Sequence, residues 1–482
     1  MRRPPHRLRP APPAPGRDPA ALLGLLLGVC LLCGCQTYTR QSQAMTAAWS
    51  AGDTATAARE FGRRADRKPD SKDAVVWRLE AGAAFRAAGD YAESNRHLDA
   101  AAARMDAYEQ QARVRVASET AALFTNPQNL PYPGRGYERI MLHTYKALNY
   151  LALGETERAR PELIRAYQAQ QDAVRQNQRR IEEAREAERA ATQPEALQRS
   201  RADPALNAAL AGITAPLEGF KFYADYVNPF TVYLDGLYFL HAGSGGADLE
   251  RAVTSLRRVA AVAGQSPWIQ EDLRLAETGA RGGASPTPRL TYVLFETGRA
   301  ASREQVRIDI PIIFADVSYV GAAFPQLVFH PGHAASATIT TPAGPATTAL
   351  VANMDAVVAL DFRDEFPVIL TKTLVSTIAK AAAGWAVNTA ARQQDDGLGL
   401  LARLVTAAVQ AAVNIADTRC WSTLPKEFQV ARLNTPADGR VTITVAGSSP
   451  QSVSLVDGHV VVVYVKSITA GRPPWIHQFR LR

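Results

Sequence analysis

His330-Pro-Gly-His333 sets two imidazoles three residues apart, a spacing from which a metal site could start. A closed site needs about four nitrogen, sulfur or oxygen ligands, and this Pro-Gly turn has no cysteine or carboxylate beside it, so we expect no metal there. Asp361-Phe-Arg-Asp364-Glu365 offers three carboxylates for general acid or base work. Asp361 alternates with Phe362 as at the end of a strand, and nothing nearby marks a shifted pKa, so a structural role is expected. Gly243-Ser-Gly-Gly246 is glycine-rich but lacks the lysine and the preceding strand of a phosphate-binding loop. The eight histidines have no Gly-x-Ser-x-Gly nucleophile motif near them. The expectation is a protein with no catalytic site, no cofactor and no metal.

The elements that would position these residues begin after a targeting segment. Residues 1–34 combine Arg2, Arg3, Arg7, Arg9 and Arg17 with the apolar run Ala20 to Leu32. Thirteen residues are too few to cross a ~30 Å hydrocarbon layer as a helix but suit the apolar core of a secretion signal. Leu32-Cys33-Gly34-Cys35 resembles the lipobox of bacterial lipoproteins, which implies cleavage before Cys35 and lipidation of its thiol. Cys33 stands where that pattern usually has Ala or Ser. Gln36 follows the cysteine where an aspartate would resemble an inner-membrane retention signal, so the resemblance implies the outer membrane. Removing five arginines and one aspartate from the 54 basic and 46 acidic residues leaves 49 and 45, a balance of +4. That is too weak and scattered for nucleic acid, which calls for a basic stripe on one face. With Cys30 and Cys33 gone and Cys35 lipidated, Cys420 stands alone, which excludes an intrachain disulfide framework.

From residue 35 to about 281 apolar residues recur at helical spacing, broken by Gly52-Asp53, Gly89-Asp90 and Gly154-Glu155. The first two glycines lie 37 residues apart, close to the ~34-residue tetratricopeptide period. The residues around the turns resemble that repeat: Gly82, Phe85, Leu98 and Ala101 in one unit, Tyr150, Ala159, Leu163 and Ala166 in the next. In the first unit Ala57, Phe61 and Pro69 match. A looser fourth unit spans Asn228 to Pro267, with Gly236 and Phe239 before its turn and Leu256 and Val259 after it. Small residues let two helices approach, an aromatic fills the groove, and a left-handed glycine ends the helix. A generic helical bundle is the alternative. Ser94 and Arg64 replace small residues of the pattern, and Pro161 fits only near the start of its helix.

Gln168 to Arg201 is nearly all polar, with Arg179–Glu182 and Glu186–Arg189 at i,i+3 spacing. It reads as a long charged helix, about 168–201, leaving the repeat body for solvent and ending near Pro194. The loop Asn126–Tyr137 is dense in Pro, Gly and Tyr. Tyr132, Tyr137, Tyr145 and Tyr150 are the candidate partner-binding side chains; a rigid connector whose tyrosines cap the stack is the alternative.

After the linker Gly279–Arg289 the period changes to two. Leu290–Glu296, Gln305–Ile310, Ile312–Ala315, Gln326–His330 and Ser336–Thr341 read as strands, as do Phe428–Ala431, Val441–Ala446, Ser452–Val456 and His459–Val465. Asp457-Gly458 is a two-residue hairpin signal. The last strand is apolar on both faces and is expected to be central. Between the strand blocks an Ala-rich helical insertion, about 368–417, carries an amphipathic part from Leu400 to Ala416. Core packing is one reading of it, and insertion into a bilayer or a partner groove is the other.

The chain resembles an uncharacterised family of bacterial lipoproteins containing tetratricopeptide repeats. The likeness rests on the lipobox, Tyr137-Glu-Arg with His143 to Leu151, Asn228-Pro-Phe230, and Asp417-Thr-Arg-Cys-Trp421 with Leu424-Pro425. It implies location and architecture and no activity. The fold class expected is α+β and multidomain: a signal at 1–34, tetratricopeptide-like helices at 35–281, and an antiparallel β-rich domain at 289–482. The function expected is a lipid-anchored periplasmic scaffold or adaptor that binds a protein or peptide partner, with Cys35 as lipid site and Gly52, Gly89 and Gly154 as repeat turns. The alternative is an envelope component that engages lipid or a pore complex through helices 368–416.

Overall fold

The computed structural model describes residues 38–114, 127–263, 266–282, 288–314, 317–392 and 415–482. Cys35 and most of the amphipathic stretch from Leu400 to Ala416 lie outside them. The chain is α+β, with helices in its first part and antiparallel-rich sheets in its second.

Helices α1 (Tyr38–Ser50) and α2 (Thr54–Arg67), α3 (Ala74–Ala87) and α4 (Tyr91–Val114), and α5 (Gly136–Ala152) and α6 (Thr156–Arg189) form three hairpins. Their turns are built alike. Gly52, Gly89 and Gly154 have φ of 80°, 85° and 76°. In each turn the residue after the glycine donates its N–H five residues back, from Asp53 to Ala48, Asp90 to Phe85 and Glu155 to Tyr150. The glycine itself donates three back, which completes a Schellman motif and satisfies carbonyls the helix end would orphan. Within the second hairpin Gly82 gives Leu98 room; a Cβ there would fall 2.5 Å from Leu98 Cδ2.

Helices α7 (Pro194–Ala202), α8 (Pro204–Thr214), α9 (Pro229–His241), α10 (Gly246–Ala263) and α11 (Pro267–Ala280) follow. The charged helix is real as far as Arg189, but it does not run into solvent. It buries Ala169, Ala173, Ala184 and Ala187 and lies along helix α12 (Met354–Arg392). The small alanines on that stripe let a polar helix pack where a count of large apolar residues shows no seam.

The strands are β1 (Leu290–Thr297), β2 (Ser302–Phe314), β3 (Val317–Val328), β4 (Ala337–Thr341), β5 (Gly344–Thr347), β6 (Ala349–Asn353), β7 (Glu427–Asn434), β8 (Arg440–Val445), β9 (Gln451–Ser454), β10 (Val460–Ser467) and β11 (Trp475–Arg480). A five-stranded sheet runs β11-β10-β1-β7-β6, with β1 and β10 parallel, and a four-stranded sheet runs β5-β4-β8-β9. They sandwich Val293, Phe295, Val463 and Val465 of the first against Ile339, Val441 and Ile443 of the second. The other face of the five-stranded sheet, with Tyr292, Leu294, Val462 and Tyr464, packs on the helices in one continuous core. The helical and strand-rich parts thus share their largest hydrophobic core.

Strand β10 is buried along its whole length, as its two apolar faces require. Other expectations need correction. Gln305–Ile310 and Ile312–Ala315 join into one strand, β2, which pairs with β3 as a separate ribbon. Asp457-Gly458 makes no hairpin, because β9 and β10 belong to different sheets. Helix α12 starts at Met354, ahead of 368, so Asp361, Asp364 and Glu365 sit on a helix and not at a strand end. Its start carries a signal, since Asn353 Oδ1 accepts the N–H of Ala356 at 3.1 Å. Helix α12 packs with the ribbon, α7 and α8 around Phe324, Phe362 and Phe366, a second core.

Candidate partner-binding surface

The inner helices α3 and α5 already hold a short turn-containing segment, and that segment is the protein's own. Residues 417–425 lead into β7, and on the way they lie across the hairpins. Glu80 of α3 accepts five hydrogen bonds: Tyr38 Oη at 2.8 Å, Ser422 N and Oγ at 2.7 Å each, Thr423 N at 3.2 Å and Thr423 Oγ1 at 2.6 Å. Glu138 of α5 accepts Trp421 N at 2.8 Å, Tyr132 Oη at 2.8 Å and Arg135 N at 3.0 Å, the last as half of the capping box that starts its helix. Both carboxylates are fully buried. Burial raises the pKa of each, and the hydrogen bonds work against that rise.

Arg419 fastens the near end of the crossing. Its guanidinium donates to Asp417 at 2.7 and 2.8 Å, to Asp73 Oδ1 at 3.0 Å and to the Leu130 carbonyl at 2.9 Å. The Trp421 indole stands edge-on to Tyr145, with ring centroids 5.7 Å apart. At the far end Ala300 N donates to the Leu424 carbonyl at 2.9 Å. Cys420 is buried within the crossing, and burial pushes its thiol up to about 12, so it stays a protonated core residue near neutral pH.

The four candidate tyrosines are used in this interior and do not face a partner. Tyr132, Tyr137, Tyr145 and Tyr150 are 2%, 3%, 0% and 6% exposed. Tyr132 binds Glu138, and Tyr145 Oη donates to Glu296 Oε1 of β1 at 2.9 Å. Tyr150 lies under the Arg158 guanidinium, 4.3 Å from its ring centroid. Glu296 also receives Tyr464 and Lys466; burial alone would raise its pKa, but Lys466 and Arg86 outweigh it and lower it. The aromatic pattern read as a surface is the seam between hairpins and sheet. A second hub joins the residue that caps α5, β2 and α12, where Arg135 and Arg303 both pair with Glu365.

The residues singled out for chemistry come apart. His330 bonds to Ser302 Oγ at 3.0 Å and to Arg299 at 3.2 Å, whereas His333 turns to Glu427 and the Pro331 carbonyl. Burial and Arg299 lower the His330 pKa to about 4. Gly243 to Gly246 precedes α10, but Asp248 closes the loop by accepting Ser244 N at 2.8 Å and pairing with Arg160. Sequence reasoning passed over His241 beside it, which lines a cavity of about 580 Å³. His241 Nε2 meets Tyr292 Oη at 2.9 Å, and Tyr292 donates to Asp272 at 2.6 Å, so Nε2 carries the proton. Burial and Arg432 lower the His241 pKa to about 3, too weak a base for proton transfer near neutral pH. Burial raises Asp272 to about 6.

Asp66, Glu93 and His97 bring three ligand atoms within 4.8 Å of one another. Each already faces a cation: Arg78 donates to Asp66 at 2.6 Å and contacts His97 Nδ1 at 2.9 Å, and Arg96 contacts His97 Nε2 at 3.0 Å and pairs with Glu93 and Asp66. A divalent ion would have to displace two guanidinium groups, so the cluster does not fit a metal. No helix among the described residues is long and apolar enough to cross a membrane. Compared with protein-family models, with curated proteins and with solved structures, the chain has no match.

Proposed function

We propose that the chain is a lipid-anchored scaffold or adaptor of the bacterial outer membrane, facing the periplasm, whose tetratricopeptide-like hairpins hold a protein or peptide partner. Cys35 carries the lipid in this reading. More than one acyl chain is part of the lipoprotein pattern, since a single chain anchors only marginally. No nucleic acid, cofactor or catalytic step enters the proposal.

One observation carries it. Helices α3 and α5 hold irregular backbone through Glu80 and Glu138, which take the N–H groups of Trp421, Ser422 and Thr423. Backbone-directed contacts of this kind are how a helical array holds a peptide, and here the inner surface is filled in cis. A partner in trans therefore needs another face of the hairpins. Leu153, Tyr167 and Ile181 are large apolar residues exposed on the third hairpin.

Deleting hairpins is a poor test, because they share a core with the sheet. A photo-crosslinker at Leu153, Tyr167 or Ile181 in the full chain is better, with Val456 on the strand side as the comparison. The proposal expects one discrete envelope protein from the helical positions and none from Val456. Equal labelling from both sets, or none from either, contradicts it. Cys35→Ser should move the protein out of the membrane fraction; unchanged membrane association would overturn the anchor. The lipid-engaging alternative through 368–416 ranks second. As far as Ala381 that helix turns Leu374, Val375 and Ile378 into the second core.

A further inference from the structure

Helix α2 places Arg59, Arg63 and Arg67 four residues apart, one exposed ladder rising about 6 Å per rung. Together with Gly62, Asp66 and Phe85 they line a groove of about 480 Å³. Phe85, from the end of α3, forms the apolar side of the groove and lies 2.8 Å from where a Gly62 Cβ would stand. Only a glycine there leaves the ring uncovered.

The acidic groups nearby are already engaged. Asp66 takes Arg78 at 2.6 Å and Arg96 at 3.0 Å, Glu93 pairs with Arg96, and Glu60 with Arg63 at 2.8 Å. Arg59 donates to the Thr56 hydroxyl at 2.9 Å and its charge helps lower the Asp53 pKa, while Arg67 has no side-chain partner among the described residues. Five arginines thus face four carboxylates, Asp53 among them, which leaves one positive charge in excess. His97, stacked under Phe85 with centroids 5.3 Å apart, reports the same field. Burial first, then Arg96 and Arg78, lower its pKa to about 4.

We propose that this groove seats an extended acidic segment of a partner protein, with alternate Asp or Glu side chains on Arg59, Arg63 and Arg67 and an intervening apolar side chain on Phe85. Side chains on one face of an extended strand repeat about every 6.5–7 Å, close to the rung spacing of the ladder. The opposite face of such a strand turns its alternate residues to the other wall, where Phe85 stands. This proposal rests on the adaptor reading and names the chemistry of the partner. A lipid headgroup would satisfy the arginines but would leave the Phe85 wall without an occupant.

The test uses the full mature chain with Cys35→Ser, a fluorescent acetyl-Glu-Leu-Glu-Leu-Glu amide probe, and vesicles of anionic phosphatidylglycerol as a second arm. The probe should bind, with affinity falling as salt rises. Arg63→Glu with Arg67→Glu should weaken it by about tenfold or more, a pair of exposed charge reversals that leaves the core untouched. Phe85→Ala should weaken the Leu-containing probe and leave an all-Glu probe unchanged. No binding at millimolar probe, or equal binding by the charge-reversed protein, overturns the proposal. Vesicle binding that needs Arg63 and Arg67 without probe binding also overturns it, in favour of lipid. The assay needs no envelope partner, so its failure leaves the adaptor reading standing with another face. Failed crosslinking with probe binding intact would remove the third hairpin as the partner's seat and leave the groove as the site for the acidic segment.

Discussion

The Glu80 carboxylate accepts the backbone N–H of Ser422 at 2.7 Å, across 342 residues of chain. That bond and its neighbours turn helices that look like a free binding array into one wall of a joint. Glu80 and Glu138 lie on inner helices of successive hairpins, and between them they take three consecutive backbone donors.

Glu80→Ala should therefore cost stability far beyond the loss of a surface charge. It leaves the largely buried Ser422 and Thr423 amides and the Tyr38 hydroxyl without their acceptor. We expect a loss of about 3–5 kcal/mol, the range for breaking a buried charged network, measured by urea unfolding. Glu80→Gln should cost less, since one oxygen still accepts while the new NH₂ faces a donor. A loss under about 1 kcal/mol for the alanine variant would mean that the crossing is not held there.

The hairpin turns were legible in the sequence because a Schellman turn needs positive φ, and Gly followed by Asp or Glu between two helical patterns is a local mark of it. The joint was not. Backbone amides carry no residue signature, and Glu80 reads as an ordinary polar position on a helix. The motifs Tyr137-Glu-Arg, Asn228-Pro-Phe230 and Asp417 to Trp421 stood out in the sequence without a role. In the fold Glu138 holds Trp421, Asn228 caps α9 through the Phe230 and Thr231 amides, and Phe230 stacks on Phe428 at 3.8 Å between centroids. The start of α12 is hidden in the sequence because Val357 to Leu360 is apolar and partly β-branched, like a strand. Its asparagine cap was the better signal.

Two glycines should respond to alanine for different reasons. Gly154 has φ of 76° with no atom within 4 Å of a Cβ, so Gly154→Ala meets only backbone strain, about 1–2 kcal/mol. Gly82→Ala collides with Leu98 and should cost about 1–3 kcal/mol through overpacking. Adding Leu98→Val should recover part of the Gly82→Ala loss and none of the Gly154→Ala loss. Thermal unfolding of the four variants checks this, and equal rescue of both would refute the distinction.

Asp272 predicts a pH dependence with a definite sign. Burial raises it from 3.8 to about 6, so the folded state binds its proton more tightly than the unfolded state. The stability this contributes is fully present below about pH 4 and is lost as pH rises to about 6. The shift corresponds to about 3 kcal/mol at 1.36 kcal/mol per pH unit. Asp272→Asn removes the proton, so the stability of the wild type minus that of the variant should fall by about this much between pH 4 and 7. A difference that stays flat, or rises, would place the titration elsewhere.

The central claim is that the hairpins hold residues 421–423 as a bound peptide within one folded unit. Native-state hydrogen exchange of the full chain reads it directly. The amides of Trp421, Ser422 and Thr423 should exchange as slowly as those of the buried strand β10, and Glu80→Ala should release Ser422 and Thr423 before the strand. Exchange of these three amides at the rate of an exposed loop in the unaltered protein would contradict the account.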